Sequence, residues 1–179
     1  MSERNPIETT NLDIYGNAEL PWSRARDLLA VDPVIQENPG EYERTYLSTV
    51  RPDGRPHSAG VGAMWYDGDM YIVSGPDTRK SKNLAQNPNA TLAVHVTGLD
   101  LILEGTVARV TDSHTLEALV ARYNAGGWPC SVEGDAFTAP FSAPSAGPPP
   151  WYLYRIRVHT AFGVATVEPN GATRWRFGD

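Results

Sequence analysis

The run Ser74-Gly75-Pro76-Asp77-Thr78-Arg79-Lys80-Ser81-Lys82-Asn83-Leu84 gathers hydroxyls and cations at one turn. Of the 15 Lys+Arg residues in the chain, only Lys80 and Lys82 are lysines, and both fall here. A strand pattern ends at Ser74, the Gly-Pro-Asp turn breaks it, and a short helix reads from Thr78 to Gln86. Thr78 or Asp77 is its N-cap. Unpaired amides and the positive end of the dipole at a helix start suit a phosphate. An arginine binds phosphate in a fork and a lysine adds a point charge. Cations in a first helical turn oppose the dipole unless an anion compensates them. The turn therefore reads as an anion site, with a solvated helix turn as the alternative.

Other chemistry-bearing residues give weaker signals. His57, His95, His114 and His159 are scattered without metal-ligand spacing, so no metal site is expected. His57 reads as a turn histidine. Cys130, the single cysteine, has no base partner in view and reads as incidental. Ser48 to Val50 lacks the context of a nucleophile elbow. Gly60 and Gly62 would let a ligand ring approach the backbone, or would mark a bulge.

The elements that must position these residues are mostly strands. Residues 1–19 are polar and read as a loose arm. Pro21, Trp22, Arg26 and Leu29 suit a helix from about Leu20, limited to about Ala30 by Pro33. Asn38-Pro39-Gly40 is a turn. Strand patterns follow at 43–50, 57–66 and 70–74, separated by Pro52-Asp53-Gly54 and Asp67-Gly68, as a three-stranded meander. Further strands read at 90–96 and 101–110, joined around Gly98. A helix over 113–123, capped by Asp112 or Thr111, comes next. Strands at 151–159, 162–167 and 173–177 complete the pattern. The proline-rich stretch 124–150 is too long for a plain connector and reads either as a flexible surface loop or as a lid-like loop whose aromatics Trp128, Phe137 and Phe141 would meet a substrate. About eight strands with a few short peripheral helices predict a mainly β fold, a split or closed antiparallel barrel over residues 20–179.

Composition narrows the function classes. The 179 residues suit one domain, and 41% hydrophobic residues suffice for a core. A net charge of -6 argues against nucleic acid. No apolar run reaches the roughly 20 residues of a membrane helix, and the first residues lack the apolar stretch of a signal peptide. A cytoplasmic protein with no membrane partner is expected.

Three segments together carry a resemblance. They are Leu47-Ser48-Thr49-Val50-Arg51-Pro52-Asp53-Gly54-Arg55-Pro56-His57, then Trp65-Tyr66-Asp67-Gly68-Asp69-Met70-Tyr71, then Thr78-Arg79-Lys80-Ser81-Lys82-Asn83-Leu84 with Asn87-Pro88. In order and spacing they resemble the pyridoxamine 5'-phosphate oxidase-like superfamily of FMN-binding split barrels. The ending Thr173-Arg174-Trp175-Arg176-Phe177 resembles its flavin/deazaflavin oxidoreductase branch. The resemblance implies a homodimer with a flavin-type cofactor between subunits. It assigns Thr78, Arg79 and Lys80 to the cofactor phosphate and Ser74 to the neighbouring strand end. It also gives Asn83 a supporting place and puts His57 on the cofactor-facing strand. Val61-Gly62-Ala63 would take the ring, and Trp175 reads either as a core residue or as a stacking partner of the ring. The chain departs from the oxidases at Ala59 and Met64, where they carry an arginine and a lysine. It also lacks their C-terminal Arg-x-His signature. These departures favour coenzyme F420 over FMN, and hydride transfer to a small organic substrate. An FMN-dependent oxidoreductase and a non-catalytic cofactor or haem carrier are the alternatives.

Overall fold

The computed structural model describes residues 4–31, 45–144 and 146–178; the turn expected at Asn38-Pro39-Gly40 and the start of the strand expected from residue 43 lie outside them. Among the described residues, eleven strands and three helices follow one another. They are β1 (Glu8–Asn11), α1 (Trp22–Ala30), β2 (Thr45–Val50), β3 (Pro56–Gly60), β4 (Ala63–Tyr66), β5 (Asp69–Ser74), α2 (Arg79–Leu84) and β6 (Asn89–Val96). The rest are β7 (Leu99–Val110), α3 (Ser113–Ala125), β8 (Ser131–Glu133), β9 (Ala136–Thr138), β10 (Tyr152–Ala165) and β11 (Ala172–Arg176). Nine strands form one antiparallel sheet in the order β1-β11-β10-β7-β6-β2-β3, with β5 on β10 and β4 on β5. The sheet does not close, so the mainly β expectation holds and the barrel is split. No helix among the described residues is long and apolar enough to cross a membrane.

The spine is β10, a single strand where two were expected. Tyr152–Ile156 pairs β5, Thr160–Val164 pairs β11, and β7 runs along the other side throughout. The register shifts at His159, between Val158 and Thr160. That bulge lets one strand serve both halves of the barrel, because an extra residue bends and twists the ladder.

The strand expected over 57–66 is two strands. Its first part pairs β2 and its second pairs β5. The break at Val61-Gly62 passes the chain from one half of the sheet to the other, so the expected meander is interrupted there. The arm expected as irregular contains β1, which pairs β11 with Glu8 opposite Arg176. The Glu8 carboxylate bonds Arg174 and Arg176, each at 3.0 Å.

Two cores fill the fold. The first lies inside the barrel and includes Leu47, Ile72, Leu92, Leu101, Leu103, Ile156 and Trp175. From α1, Trp22, Ala25 and Leu29 enter it at helical spacing. Trp175 is fully buried there, 5.4 Å from the Trp22 ring, and donates its indole N–H to the Leu20 carbonyl at 3.2 Å. Gly163 makes room for it, since a Cβ there would overlap the indole edge. The second core lies between β4, β5, β10 and α3 and includes Met64, Leu116, Leu119, Phe137 and Trp151. Asp112 caps α3 by accepting from the Thr115 amide at 2.8 Å.

Candidate functional site

The corner where β5 meets α2 is built on three hydroxyls. The oxygens of Ser74, Thr78 and Ser81 form a triangle with edges of 2.8, 3.0 and 3.0 Å. Thr78 is the N-cap, accepting from the Ser81 amide at 3.3 Å and also bonding the Gly75 carbonyl at 2.9 Å. Tyr154 of β10 reaches the Ser81 hydroxyl from the barrel wall. This interlock fixes the direction in which α2 leaves the sheet.

The cations divide. Arg79 is exposed. Lys80 is 5% exposed, and burial pushes its ammonium below the ordinary lysine value. Lys82 points to solvent and pairs with Asp77 at 3.2 Å. Arg79 and Lys80 thus belong to the corner, whereas Lys82 is a solvated helix residue.

Asn83 ties α2 to the sheet. It is fully buried, and its Nδ2 donates to Thr49 Oγ1 at 2.9 Å. Thr49 in turn donates to the His57 carbonyl at 3.3 Å. The Asn83 Oδ1 is buried with no hydrogen-bond partner. His57 is half-buried on β3, not a turn residue, and the Arg79 and Lys80 charges act on it.

The ring segment is only partly available to a ligand. Val61 leans on the first core and donates its amide to the Thr45 carbonyl at 3.1 Å. Ala63 is 2% exposed with its methyl in the same core, so its side chain cannot meet a ring. Gly62 is exposed and a Cβ there would enter open space, as at Gly60. The accessible surface is therefore the backbone around Gly62.

Two expected contacts, Trp175 and Phe137, change role. Trp175 sits inside the first core and cannot stack on a cofactor in this position. Phe137 is fully buried in the second core, edge-on to Tyr123 at 5.9 Å. Trp128 and Phe141 pack with Trp151 at 4.9 and 5.7 Å. These aromatics anchor the 124–150 segment to the body of the fold. That segment is also more ordered than a loop, since β8 and β9 form a hairpin and Phe137 bridges to Trp151.

The segment nevertheless borders the corner. The Ala143–Gly147 turn rests on Gly75, where a Cβ would overlap the Ala146 carbonyl oxygen. Gly75→Ala is therefore expected to push this turn away and cost about 1–3 kcal/mol. Thermal unfolding and limited proteolysis check this; an unchanged midpoint with no new cleavage at 143–147 would remove the contact from the account.

Two open cavities flank these elements. One, about 440 Å³, is lined by Glu133, Asp135, Ala136, Thr138, Pro149, Pro150 and Tyr152, from the 124–150 segment and the start of β10. The other, about 420 Å³, lies where β2 and β6 diverge, bounded by Thr49, Asn89, Glu104 and His159 among others. Both fall within the size range of small-molecule pockets. Among the described residues no cluster of His, Cys, Asp or Glu could hold a metal ion. Burial pushes the Cys130 thiol up to about 11, so it is no nucleophile near neutral pH.

Thr49, Ser81 and Tyr154 were not singled out by the sequence. Ser81 carried a signal as one of the hydroxyls of the 74–84 run, and Thr49 another, as a hydroxyl two residues after Leu47 on the inward side of an alternating strand.

This open split sheet, with a basic corner where β5 meets α2, is the architecture of the FMN-binding split-barrel class. The family model described as pyridoxamine 5'-phosphate oxidase matches residues 14–141. The chain belongs to the pyridoxamine 5'-phosphate oxidase family. Nothing among curated proteins matches it. One similar solved structure is a pyridoxamine 5'-phosphate oxidase-related, FMN binding protein from Nostoc punctiforme. It has a TM-score of 0.56 and 15% identity, covering 90% of this chain and 99% of that one. A NimC/NimA family protein from Clostridium acetobutylicum gives 0.55 and 19%, covering 85% and 91%. An F420 reductase gives 0.51 and 18%, covering 76% and 94%. At these identities the likeness is one of fold.

Proposed function

We propose that this protein is an oxidoreductase that binds coenzyme F420 and reduces a small, unsaturated organic substrate. The observation that carries the reading is the corner itself. Arg79 and Lys80 stand between Thr78 and Ser81, two of three interlocked hydroxyls, and at the β3–β4 break Gly62 is exposed with open space where a Cβ would be. Arg79 and Lys80 would hold the cofactor phosphate, and the hydroxyl triangle would keep both cations in place. The Gly62 backbone would flank the ring. The 440 Å³ cavity bordered by the 124–150 segment offers substrate space. When bound, the reduced deazaflavin would supply a hydride to an unsaturated carbon or quinone, with a proton from solvent completing the product.

FMN is the second reading, favoured by membership of the family and weakened by Ala59 and Met64. Met64 is wholly inside the second core, so this position offers a cofactor no charge. The corner would serve one cofactor per subunit, in a homodimer whose two copies share the groove.

The test is an absorption spectrum of the purified protein, followed by titration with F420 and FMN and by turnover. F420 is expected to bind more tightly, and reduced F420 to be oxidised by members of an enone and quinone panel. A bound flavin spectrum with no F420 affinity would give the cofactor to FMN. A Soret band would indicate a haem carrier. F420 binding without turnover on any substrate would make the protein a carrier.

A further inference from the structure

We propose that His57 is a third anion-binding residue of the corner, taking up a proton when a phosphate group binds beside Arg79 and Lys80. This rests on the reading of that corner as a cofactor phosphate site.

The placement follows from the ladder. His57 and Thr49 are direct partners across β2 and β3, so their side chains share one face of the sheet. Thr49 accepts the Asn83 hydrogen bond, so that face is the one covered by α2. The imidazole therefore lies on the same side as Arg79 and Lys80. Its Nδ1 is buried and has no partner, as is Asn83 Oδ1 on the same face. Two unsatisfied buried polar atoms beside two cations are costly unless a ligand completes the set.

The charged groups acting on His57 come from two elements. Arg51 lies in the β2–β3 connection, and Arg79 and Lys80 lie on α2. Asp53 and Arg55, in that same connection, pair with each other at 2.7 Å in solvent. Burial first, then the three cations, hold the imidazole below the ordinary histidine value, so the ring is neutral at neutral pH. A bound anion offsets those cations and gives the ring N–H an acceptor. Both effects favour imidazolium, so the anion raises the pKa of His57. Anion affinity is greatest below the free-state pKa and falls by about one log unit per pH unit up to the bound-state pKa, above which it is flat. The histidine would thereby supply part of the positive charge missing at Ala59 and Met64.

Sulfate is the probe, because it keeps its charge throughout the range where histidine titrates. Ring resonances of His57 are followed by NMR in the full chain against pH, with and without sulfate. The expected result is a titration midpoint below the ordinary histidine value in the free protein and an upward shift with sulfate. His57→Gln, which keeps a donor but cannot titrate, is expected to bind sulfate with no pH slope in this range. If sulfate perturbs residues 78–81 in an Arg79-dependent way while His57 does not move, the inference falls and the cofactor site stands. If Arg79→Ala binds sulfate as tightly as the natural chain, the site reading falls as well.

Discussion

Trp175→Ala is expected to cost about 3–5 kcal/mol of folding stability. The indole is fully buried against Trp22, fills the space left by Gly163 and satisfies the Leu20 carbonyl. Its removal leaves a cavity and an unpaired acceptor. Domains of this kind have only about 5–15 kcal/mol in hand, so the variant is expected to sit near the edge of folding. Trp175→Phe should recover much of the loss, short of the hydrogen bond. Chemical denaturation measures both. Cofactor affinity of the folded fraction should stay the same. An affinity loss at unchanged stability would return Trp175 to the cofactor site and contradict its placement in the core.

Arg79→Ala is expected to weaken F420 binding by about tenfold to a hundredfold, because a hydrogen bond to a charged group contributes about 1.5–3 kcal/mol. Arg79 is exposed, so the unfolding midpoint should not move. Adding Lys80→Ala is expected to bring the total loss to about 10²–10⁴-fold on the same scale. The buried Lys80 differs from Arg79 in that truncation also removes packing, so its stability must be measured alongside. Lys82→Ala, which breaks only an exposed pair with Asp77, is the control and should bind normally. Fluorescence titration reads all three. Equal affinity of the natural chain and the double variant would move the phosphate elsewhere.

Much of the fold was legible because most strands advertise their burial. β2, β6, β7 and β10 alternate, and the turns between them contain the Gly, Pro and Asp that turn geometry demands. The first helix ended at Ala30, as the spacing and Pro33 implied. β1 was not legible, because its Glu-Thr-Thr-Asn is an edge strand that buries almost nothing. It is a strand through its bonds to β11 and the ion pairs of Glu8, both distant in sequence. The break at Val61-Gly62 was hidden for a related reason. A strand pattern says which face is buried but not which neighbour it pairs with, and here the neighbour changes midway.

The site was legible in part. Thr78, Arg79 and Lys80 stood out by type and spacing, and the structure gathers them with Ser74. Asn83 has a place, but as a tie to Thr49. The aromatics were ambiguous, since such residues look the same in sequence whether they meet a ligand or a core; Phe137 and Trp175 lie wholly in cores, whereas Trp128 and Phe141 are half-buried. That Arg79 and Lys80 act on His57 was not legible, because they lie more than twenty residues away in sequence.

The bulged β10 also has a kinetic consequence. Its partners β5 and β7 lie far upstream in the chain, and it closes both ladders at once. Until Tyr152–Ala165 is made and docked, β5 and β7 keep open edges towards solvent and towards other chains. Such long-range pairing is slow, since the entropy of closing large loops must be met before the contacts form. Assembly of the barrel thus waits until β10 has been made. The exposure of nascent chains to aggregation should fall sharply when this strand is in place, and further once β11 covers its Thr160–Val164 edge.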